Sequence, residues 1–90
     1  GLDLYVQADV PFVKAALGTS MSVETLEGPV DVDVPAGSQP GEEIVLEGLG
    51  MPRVQSRGRG DLHVVIKVSV PRKLSRKQKK ILEELERAGR

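Results

Sequence analysis

The candidates for acid–base or metal chemistry in this 90-residue sequence are thirteen acidic residues and one histidine, and there is no cysteine. The single histidine, His63, has no cysteine nearby and no serine at a nucleophile elbow, so we interpret it as a lone surface residue. Two carboxylate pairs could act as acid–base groups or bind a hard cation loosely: Asp31 with Asp33, and Glu42 with Glu43. Nothing in the sequence places either pair in a pocket. We therefore predict that the protein is not an enzyme and has no catalytic site, no metal site and no cofactor.

Phosphate and nucleic-acid binding are weakly supported. Residues 48–53 look like a phosphate-binding glycine loop, but they lack the Gly-Lys-Ser/Thr ending and do not lead into a helix. We interpret residues 48–60, with four glycines, as a long mobile loop. Arg53, Arg57 and Arg59, with the lysines at 73–80, could form a nucleic-acid adaptor. No aromatic stacking platform accompanies them, so we expect no nucleic-acid partner and keep the adaptor as an alternative.

Charge and composition indicate one small domain with a segregated surface. Residues 1–50 carry nine acidic side chains and one basic one, whereas residues 51–90 carry twelve basic and four acidic ones. The two ends could attract each other, the basic end could meet an acidic partner, or the charges could simply be a solvated surface. The sequence has no cysteine and no apolar run near the roughly 18 residues that a membrane span needs. We expect a cytoplasmic protein with no membrane partner.

The longest strand-like run, residues 60–71, would organise the fold. Its apolar residues alternate with polar or smaller ones, which is typical of a strand with one buried face: Leu62, Val64, Ile66, Val68 and Val70. We expect this strand in the middle of a sheet. Four shorter runs have the same period: 4–10, 21–25, 30–34 and 42–46, the second and third forming a hairpin over residues 20–34. The sequence therefore predicts a mainly β fold, a small antiparallel β-sandwich or partly open barrel of about five strands.

Two helices complete the predicted architecture. Pro11 and Gly18 delimit a short internal helix, for which we expect Phe12, Ala16 and Leu17 to be the anchors. Near the C-terminus, Ser75 is a good N-cap, Gln78 completes a capping box, and Gly89 is the stop. Between them lies one narrow apolar stripe: Ile81, Leu82 and Leu85.

Seven stretches, in order, resemble the C-terminal region of DnaJ-type heat-shock co-chaperones. They are Asp3-Leu4-Tyr5-Val6, Phe12-Val13-Lys14-Ala15-Ala16-Leu17-Gly18, Val23-Glu24-Thr25-Leu26-Glu27-Gly28, Val34-Pro35-Ala36-Gly37-Ser38-Gln39-Pro40-Gly41, Leu46-Glu47-Gly48-Leu49-Gly50-Met51-Pro52, Gly60-Asp61-Leu62 and Leu74-Ser75-Arg76-Lys77-Gln78-Lys79. Together they cover nearly all of the chain. One departure is Glu27-Gly28-Pro29, where the more usual turn is Asp-Gly.

The resemblance implies that residues 1–74 are the second of two C-terminal β-domains and that residues 75–90 are the dimerisation helix of the family. It implies a module that holds unfolded or non-native client polypeptides, forms a homodimer, and through its parent protein delivers clients to a DnaK-type ATPase. The chain lacks the J-domain His-Pro-Asp motif, so we expect that it cannot stimulate that ATPase by itself. It also lacks the Cys-x-x-Cys zinc module, so no zinc is expected.

The resemblance also suggests site residues. An apolar groove beside an edge strand would carry client segments, and the related positions are Ala8, Val10, Met21, Val23 and Thr25. All five occupy positions of the predicted strands that face inward, so they are candidates for the core as well as for the groove. For dimerisation the candidates are Ile81, Leu82 and Leu85, with packing of the helix on its own sandwich as the alternative. A purely structural spacer and dimeriser, with client contacts elsewhere in the parent, is the alternative function.

Overall fold

The computed structural model describes residues 2–52 and 58–89 and confirms the predicted fold class. The elements in chain order are β1 (Leu4–Pro11), α1 (Phe12–Leu17), β2 (Thr19–Thr25), β3 (Gly28–Val34), β4 (Glu43–Leu46), β5 (Leu62–Ser69) and α2 (Arg76–Ala88). In the described residues the five strands form two sheets that do not close into a barrel, one of three strands and one of two.

As predicted, β5 lies in the middle of its sheet, in the order β1-β5-β4. Leu62, Val64 and Ile66 are at most 2% exposed, because the inner face of a central strand is covered along its length. β4 runs antiparallel to β5, but β1 runs parallel to it. A parallel pair needs a long crossover connection, and here most of the fold separates the two strands in sequence. The series of inward-facing residues on β5 ends at the half-buried Val68. Val70, which was predicted to continue the series, lies beyond the strand and is 71% exposed.

The second sheet is the predicted hairpin of β2 and β3, paired from Thr19 opposite Val34 to Thr25 opposite Gly28. Gly28 has φ +97°, a conformation that glycine adopts without steric cost. The Thr25 hydroxyl donates to the Gly28 carbonyl at 2.7 Å and accepts from the Glu27 N–H at 3.0 Å. The turn is therefore formed without the more usual aspartate.

Among the residues that the structure describes, the hydrophobic core lies between the inner faces of the two sheets and is aliphatic. It consists of two clusters: Ala8, Val23, Val32, Leu62 and Val64 in one, and Val10, Ala15, Val34 and Ile66 in the other. Met21 and Ile44 pack against both clusters. Each sheet therefore stabilises the other through small apolar side chains, as expected for layered β-proteins.

The predicted anchors of α1 are wrong in part. Ala15 is the buried residue of this helix, at 3% exposure, whereas Ala16 is exposed and Leu17 is 76% exposed. Phe12 is half-buried. A six-residue helix turns fewer than two times, so its apolar residues do not reveal which face meets the core. The Ala15 carbonyl also accepts hydrogen bonds from the Gly37 and Ser38 N–H groups, which join the end of the helix to the segment after β3.

The glycine-rich segment is tied to the rest of the fold where the structure describes it, and residues 53–57 lie outside the described residues. The Gly50 N–H donates to the Gly60 carbonyl at 2.9 Å, and the Met51 N–H donates to the Leu2 carbonyl at 2.8 Å. The Arg59 guanidinium forms an ion pair with Glu27 at the hairpin turn. These contacts join the described ends of the segment to the N-terminal residues and to the hairpin turn; the mobility of the loop stays a prediction.

Because Val64 is 1% exposed, truncation to alanine should leave a cavity between the sheets. We expect Val64→Ala to lower the free energy of unfolding by roughly 2–4 kcal/mol in urea denaturation. Val45→Ala is the matched control, since Val45 lies on the outer face of the same sheet at 47% exposure and should cost less than about 0.5 kcal/mol. Equal losses in the two variants would contradict the assignment of the inner face.

Candidate functional site

Two strand edges border a small groove at the end of the sandwich that carries α1. β1 is the outer strand of its sheet, and among the described strands β2 pairs with β3 alone, so each has an unpaired edge. The groove holds about 80 Å³. Its lining comes from β1, α1 and β2: Asp9, Val10, Pro11, Lys14, Thr19, Ser20 and Met21. It can therefore accept about one side chain, next to backbone groups that are free to pair.

The structure divides the predicted client-binding residues between groove and core. Val10 and Met21 line the groove, although Val10 is 1% exposed and also belongs to the core. Ala8 and Val23 lie in the core, at 5% and 9% exposure. Thr25 is half-buried and uses its hydroxyl in the hairpin turn. Met21 is therefore the predicted residue that combines a place in the groove with an accessible side chain.

The polar rim of the groove was not predicted from the sequence. Asp9 of β1 and Lys14 of α1 are exposed residues that place one charge of each sign there. One feature of the sequence could have drawn attention to this rim: Lys14 is the one basic residue among residues 1–50. Pro11 connects β1 directly to α1 and so brings these two side chains to the same rim.

A second, larger groove lies where α2 approaches the sandwich. It is open and mostly apolar, with a volume of about 520 Å³. Its lining comes from the end of β1, α1, the end of β5, the segment between β5 and α2, and α2: Pro11, Phe12, Val13, Ser69, Val70, Pro71, Leu74, Gln78, Ile81 and Leu82. Two of the predicted dimerisation residues, Ile81 and Leu82, line this groove, whereas Leu85 lies beyond it and is 63% exposed.

The predicted capping box at the start of α2 is confirmed. The Gln78 N–H donates to the Ser75 hydroxyl at 3.1 Å, and the Ser75 N–H donates to the Gln78 amide oxygen at 2.9 Å. None of the thirteen residues from Arg76 to Ala88 is buried. The helix therefore depends on its cap and on partial contacts along one face, and most of its apolar stripe stays accessible.

The described part of the chain offers little for other chemistry. Among residues 2–52 and 58–89, no group of three or more histidine, aspartate or glutamate side chains is arranged to hold a metal ion. No helix within these ranges is long and apolar enough to cross a membrane. Asp31 and Asp33 lie exposed on β3 opposite Ser22 and Ser20, as the sequence indicated for a solvated strand face.

Comparison with known proteins connects this architecture to one family. Residues 1–71 match the family described as the DnaJ C terminal domain. Chaperone protein DnaJ of Caldicellulosiruptor bescii is 47% identical over 87 residues, which are 97% of this chain and 22% of the relative. Chaperone protein DnaJ of Geobacillus kaustophilus is 45% identical over 89 residues, 99% of this chain and 23% of the relative. The chain thus spans about a quarter of the length of the curated relatives it matches.

Since α2 has little buried surface, its cap should be a large part of its stability. We expect Ser75→Ala to destabilise the helix by about 1 kcal/mol and to lower its helical content, measured by Cα chemical shifts over residues 76–88. Ser22→Ala, at an exposed position of β2, is the control and should leave these shifts unchanged. A helix that is equally populated in both variants would show that contacts other than the cap hold it.

Proposed function

The chain belongs to the DnaJ C-terminal domain family, and from this membership we propose that it is a co-chaperone module that binds non-native polypeptides and dimerises its parent protein. In this proposal residues 1–74 bind the client, residues 75–90 form the dimerisation helix, and the parent delivers clients to a DnaK-type chaperone in the cytoplasm. The observation that carries the proposal is the groove between the unpaired edges of β1 and β2.

Client binding would use strand addition to the edge of β2. An extended segment would pair with the backbone of residues 20–25 and place one apolar side chain against Val10 and Met21. A volume of about 80 Å³ is too small to bury a whole segment, so backbone hydrogen bonds must supply much of the affinity. Such binding depends weakly on client sequence, which suits a protein that accepts many unfolded chains.

The exposed edge of β2 is also an aggregation risk that most proteins avoid. Unpaired N–H and C=O groups are a template for aggregation, and proteins usually block them with bulges, prolines or charges. Along β2 the outward residues are Ser20, Ser22 and Glu24, and the strand contains no proline. One glutamate is modest protection for a seven-residue edge. An edge kept open in this way supports a role in pairing with extended polypeptides.

The test of strand addition is a client peptide whose backbone is methylated at alternate nitrogens. An apolar peptide titrated into the protein should shift the amide NMR signals of residues 19–25. N-methylation on the alternation that faces β2 should abolish these shifts, because it removes the donors, whereas methylation on the opposite alternation should not. If both methylated peptides bind as well as the parent peptide, the chain does not bind by strand addition.

A protein variant tests the side-chain part of the site. Met21→Ala should weaken peptide binding roughly tenfold, by loss of apolar contact in the groove. Leu17→Ala, at 76% exposure and outside both grooves, is the control. Val23→Asp would bury an unpaired carboxylate in the core, so a loss of peptide binding in that variant could come from unfolding. A dimer that binds no peptide would favour the structural spacer.

Dimerisation would use the apolar groove beside α2, filled by a second copy of the chain. A helix of about 13 residues is marginal alone in water, so it needs a surface to cover. Its own sandwich leaves Ile81 and Leu85 52% and 63% exposed, which argues against packing within one chain as the full answer. In a two-fold contact the exposed basic segment 72–80 of one copy could approach the acidic half of the other.

Deleting residues 75–90 should convert a dimer to a monomer in sedimentation equilibrium and leave the β circular dichroism signal intact. A point variant gives a sharper comparison. Leu82→Glu places a charge in the apolar groove and should also give a monomer, whereas Leu17→Glu on α1 should not. If the intact chain is monomeric at millimolar concentration with α2 still formed, the helix packs within its own chain.

A further inference from the structure

The outer face of the three-stranded sheet carries a histidine held between two carboxylates. In His63, Nε2 lies 2.8 Å from Asp3 Oδ2, and Nδ1 lies 2.8 Å from Glu43 Oε1. The side chain is 16% exposed. The prediction of a lone surface histidine is therefore wrong. Both partners are distant in sequence, 60 and 20 positions away, so no local pattern could reveal them.

This geometry matches one protonation state of the imidazole. A neutral ring has one N–H and one lone pair, so it can donate to one carboxylate while its lone pair faces the other. The doubly protonated ring donates to both. With a carboxylate oxygen 2.8 Å from each ring nitrogen, only the charged form satisfies both contacts. The second proton on the imidazole ring is therefore required for His63 to donate to both carboxylates at once.

A tyrosine adds a third contact to the charged ring. Tyr5 is the cross-strand partner of His63 in the parallel β1–β5 ladder. The two rings are stacked, with centroids 4.4 Å apart and an interplanar angle of 15°. A cation over the face of an aromatic ring is favoured by the ring quadrupole. Tyr5 is 64% exposed, and this stack gives a large side chain on the solvent face a defined partner.

In residues 2–52 and 58–89, the other groups next to His63 do not oppose the charge. Its cross-strand neighbour on β4 is Val45, which is apolar. Asp61, two residues earlier in the chain, accepts from the Gly48 N–H through Oδ1. The next charged pair on this face, Asp9 opposite Lys67, lies four residues along the strands, or about 13 Å. The hydrogen bond to Asp3, followed by the one to Glu43, raises the pKa of His63 above its ordinary value of 6.5.

The two carboxylates connect His63 to the beginnings of the neighbouring strands. Asp3 precedes β1, and its Oδ1 accepts from the Asp61 N–H at 2.8 Å, while the Leu4 N–H donates to the Asp61 carbonyl at 2.9 Å. Glu43 is the first residue of β4. A single imidazolium on the central strand therefore contacts side chains at the beginnings of both outer strands.

We propose that His63 is a proton-controlled clamp, which ties the beginnings of β1 and β4 to β5 when both ring nitrogens are protonated and releases one of them when a proton is lost. This is a conformational device of the sheet itself, and it does not depend on client binding or dimerisation. It predicts a sheet that is held more firmly as the pH falls from alkaline to mildly acidic values.

The signs of the two linked groups define the pH range. His63 has a raised pKa in the folded protein, so its contribution is complete below 6.5 and is lost as the pH rises through the folded value. The pKa of Asp3 lies below its ordinary value of 3.8, because the Asp61 N–H and then His63 stabilise the carboxylate. Its contribution is complete above 3.8 and is lost as the pH falls through the folded value. Both contributions are complete between these two ordinary values.

The test uses the fact that His63 is the only histidine of the sequence, so its ring signals in NMR are unambiguous. We expect a titration midpoint above 6.5 in the wild type. Asp3→Asn keeps an oxygen for the Asp61 N–H but removes the charge next to Nε2. Glu43→Gln removes the charge next to Nδ1, so each variant should lower the midpoint. Every unit of lowering is a tenfold loss of proton affinity. Asp9→Asn is the control. Asp9 lies on β1, four residues along the strands from the Tyr5–His63 pair, so this variant should leave the titration midpoint of His63 unchanged.

Hydrogen exchange then shows whether the proton controls the strands. The Leu4 and Asp61 amides report on the β1 side, and the Ile66 amide, which donates to the Glu42 carbonyl next to the first residue of β4, reports on the β4 side. After correction for intrinsic rates, the amides of at least one side should exchange faster above the midpoint than below it in the wild type. In His63→Gln this pH step should disappear. A wild-type midpoint at or below 6.5, a midpoint unmoved by Asp3→Asn, or an exchange step that persists in His63→Gln would each overturn the proposal.

Discussion

The alternation of side chains along β5 is the constraint on which the rest of the structure depends. With Leu62, Val64 and Ile66 fixed in the core, His63 and Val65 must point to the outer face. A slip of one residue would exchange the two faces along the whole strand. Because β1 and β4 take their register from β5, the same constraint sets Tyr5 beside His63 on the outside and Ala8 opposite Ile66 on the inside.

Two glycines make the close approach at one end of this sheet possible. A Cβ on Gly60 would overlap the Leu2 carbonyl, and one on Gly50 would lie 2.6 Å from the backbone of Gly60 and Asp61. Any side chain at either position would require the backbone to move. The contact brings residues 2 and 3 against the beginning of β5, which is where Asp3 meets Asp61 and His63. The contacts of His63 with Asp3 and Asp3 with Asp61 therefore depend on backbone packing that the composition of the loop does not reveal.

Sequence patterns predicted correctly those features of the structure that depend on neighbouring residues in the chain. The period of two in residues 62–68, the hairpin turn at Gly28 and the capping box of Ser75 each depend on residues a few positions apart, and each prediction is confirmed. What failed depends on contacts between distant segments. The inward face of α1 is set by Ala15 packing against Val34 and Ile66, and the role of His63 is set by Asp3 and Glu43. For the groove that we propose binds clients, the sequence indicated inward-facing residues of β1 and β2. Its polar rim depends on the position of α1, which the sequence did not reveal.

In the proposed dimer, the terminal helix would connect stability to assembly. Its cap supplies about 1 kcal/mol, which is too little to hold a helix of this length without tertiary contacts. Val13, Val70 and Leu74 stay 46%, 71% and 42% exposed beside it, so the apolar surface available for further burial lies on the sandwich as well as on the helix. In the proposed dimer, covering this surface would stabilise α2 and the interface together. Part of the association free energy would then be spent on ordering the helix, so a variant that weakens the helix should also weaken the dimer.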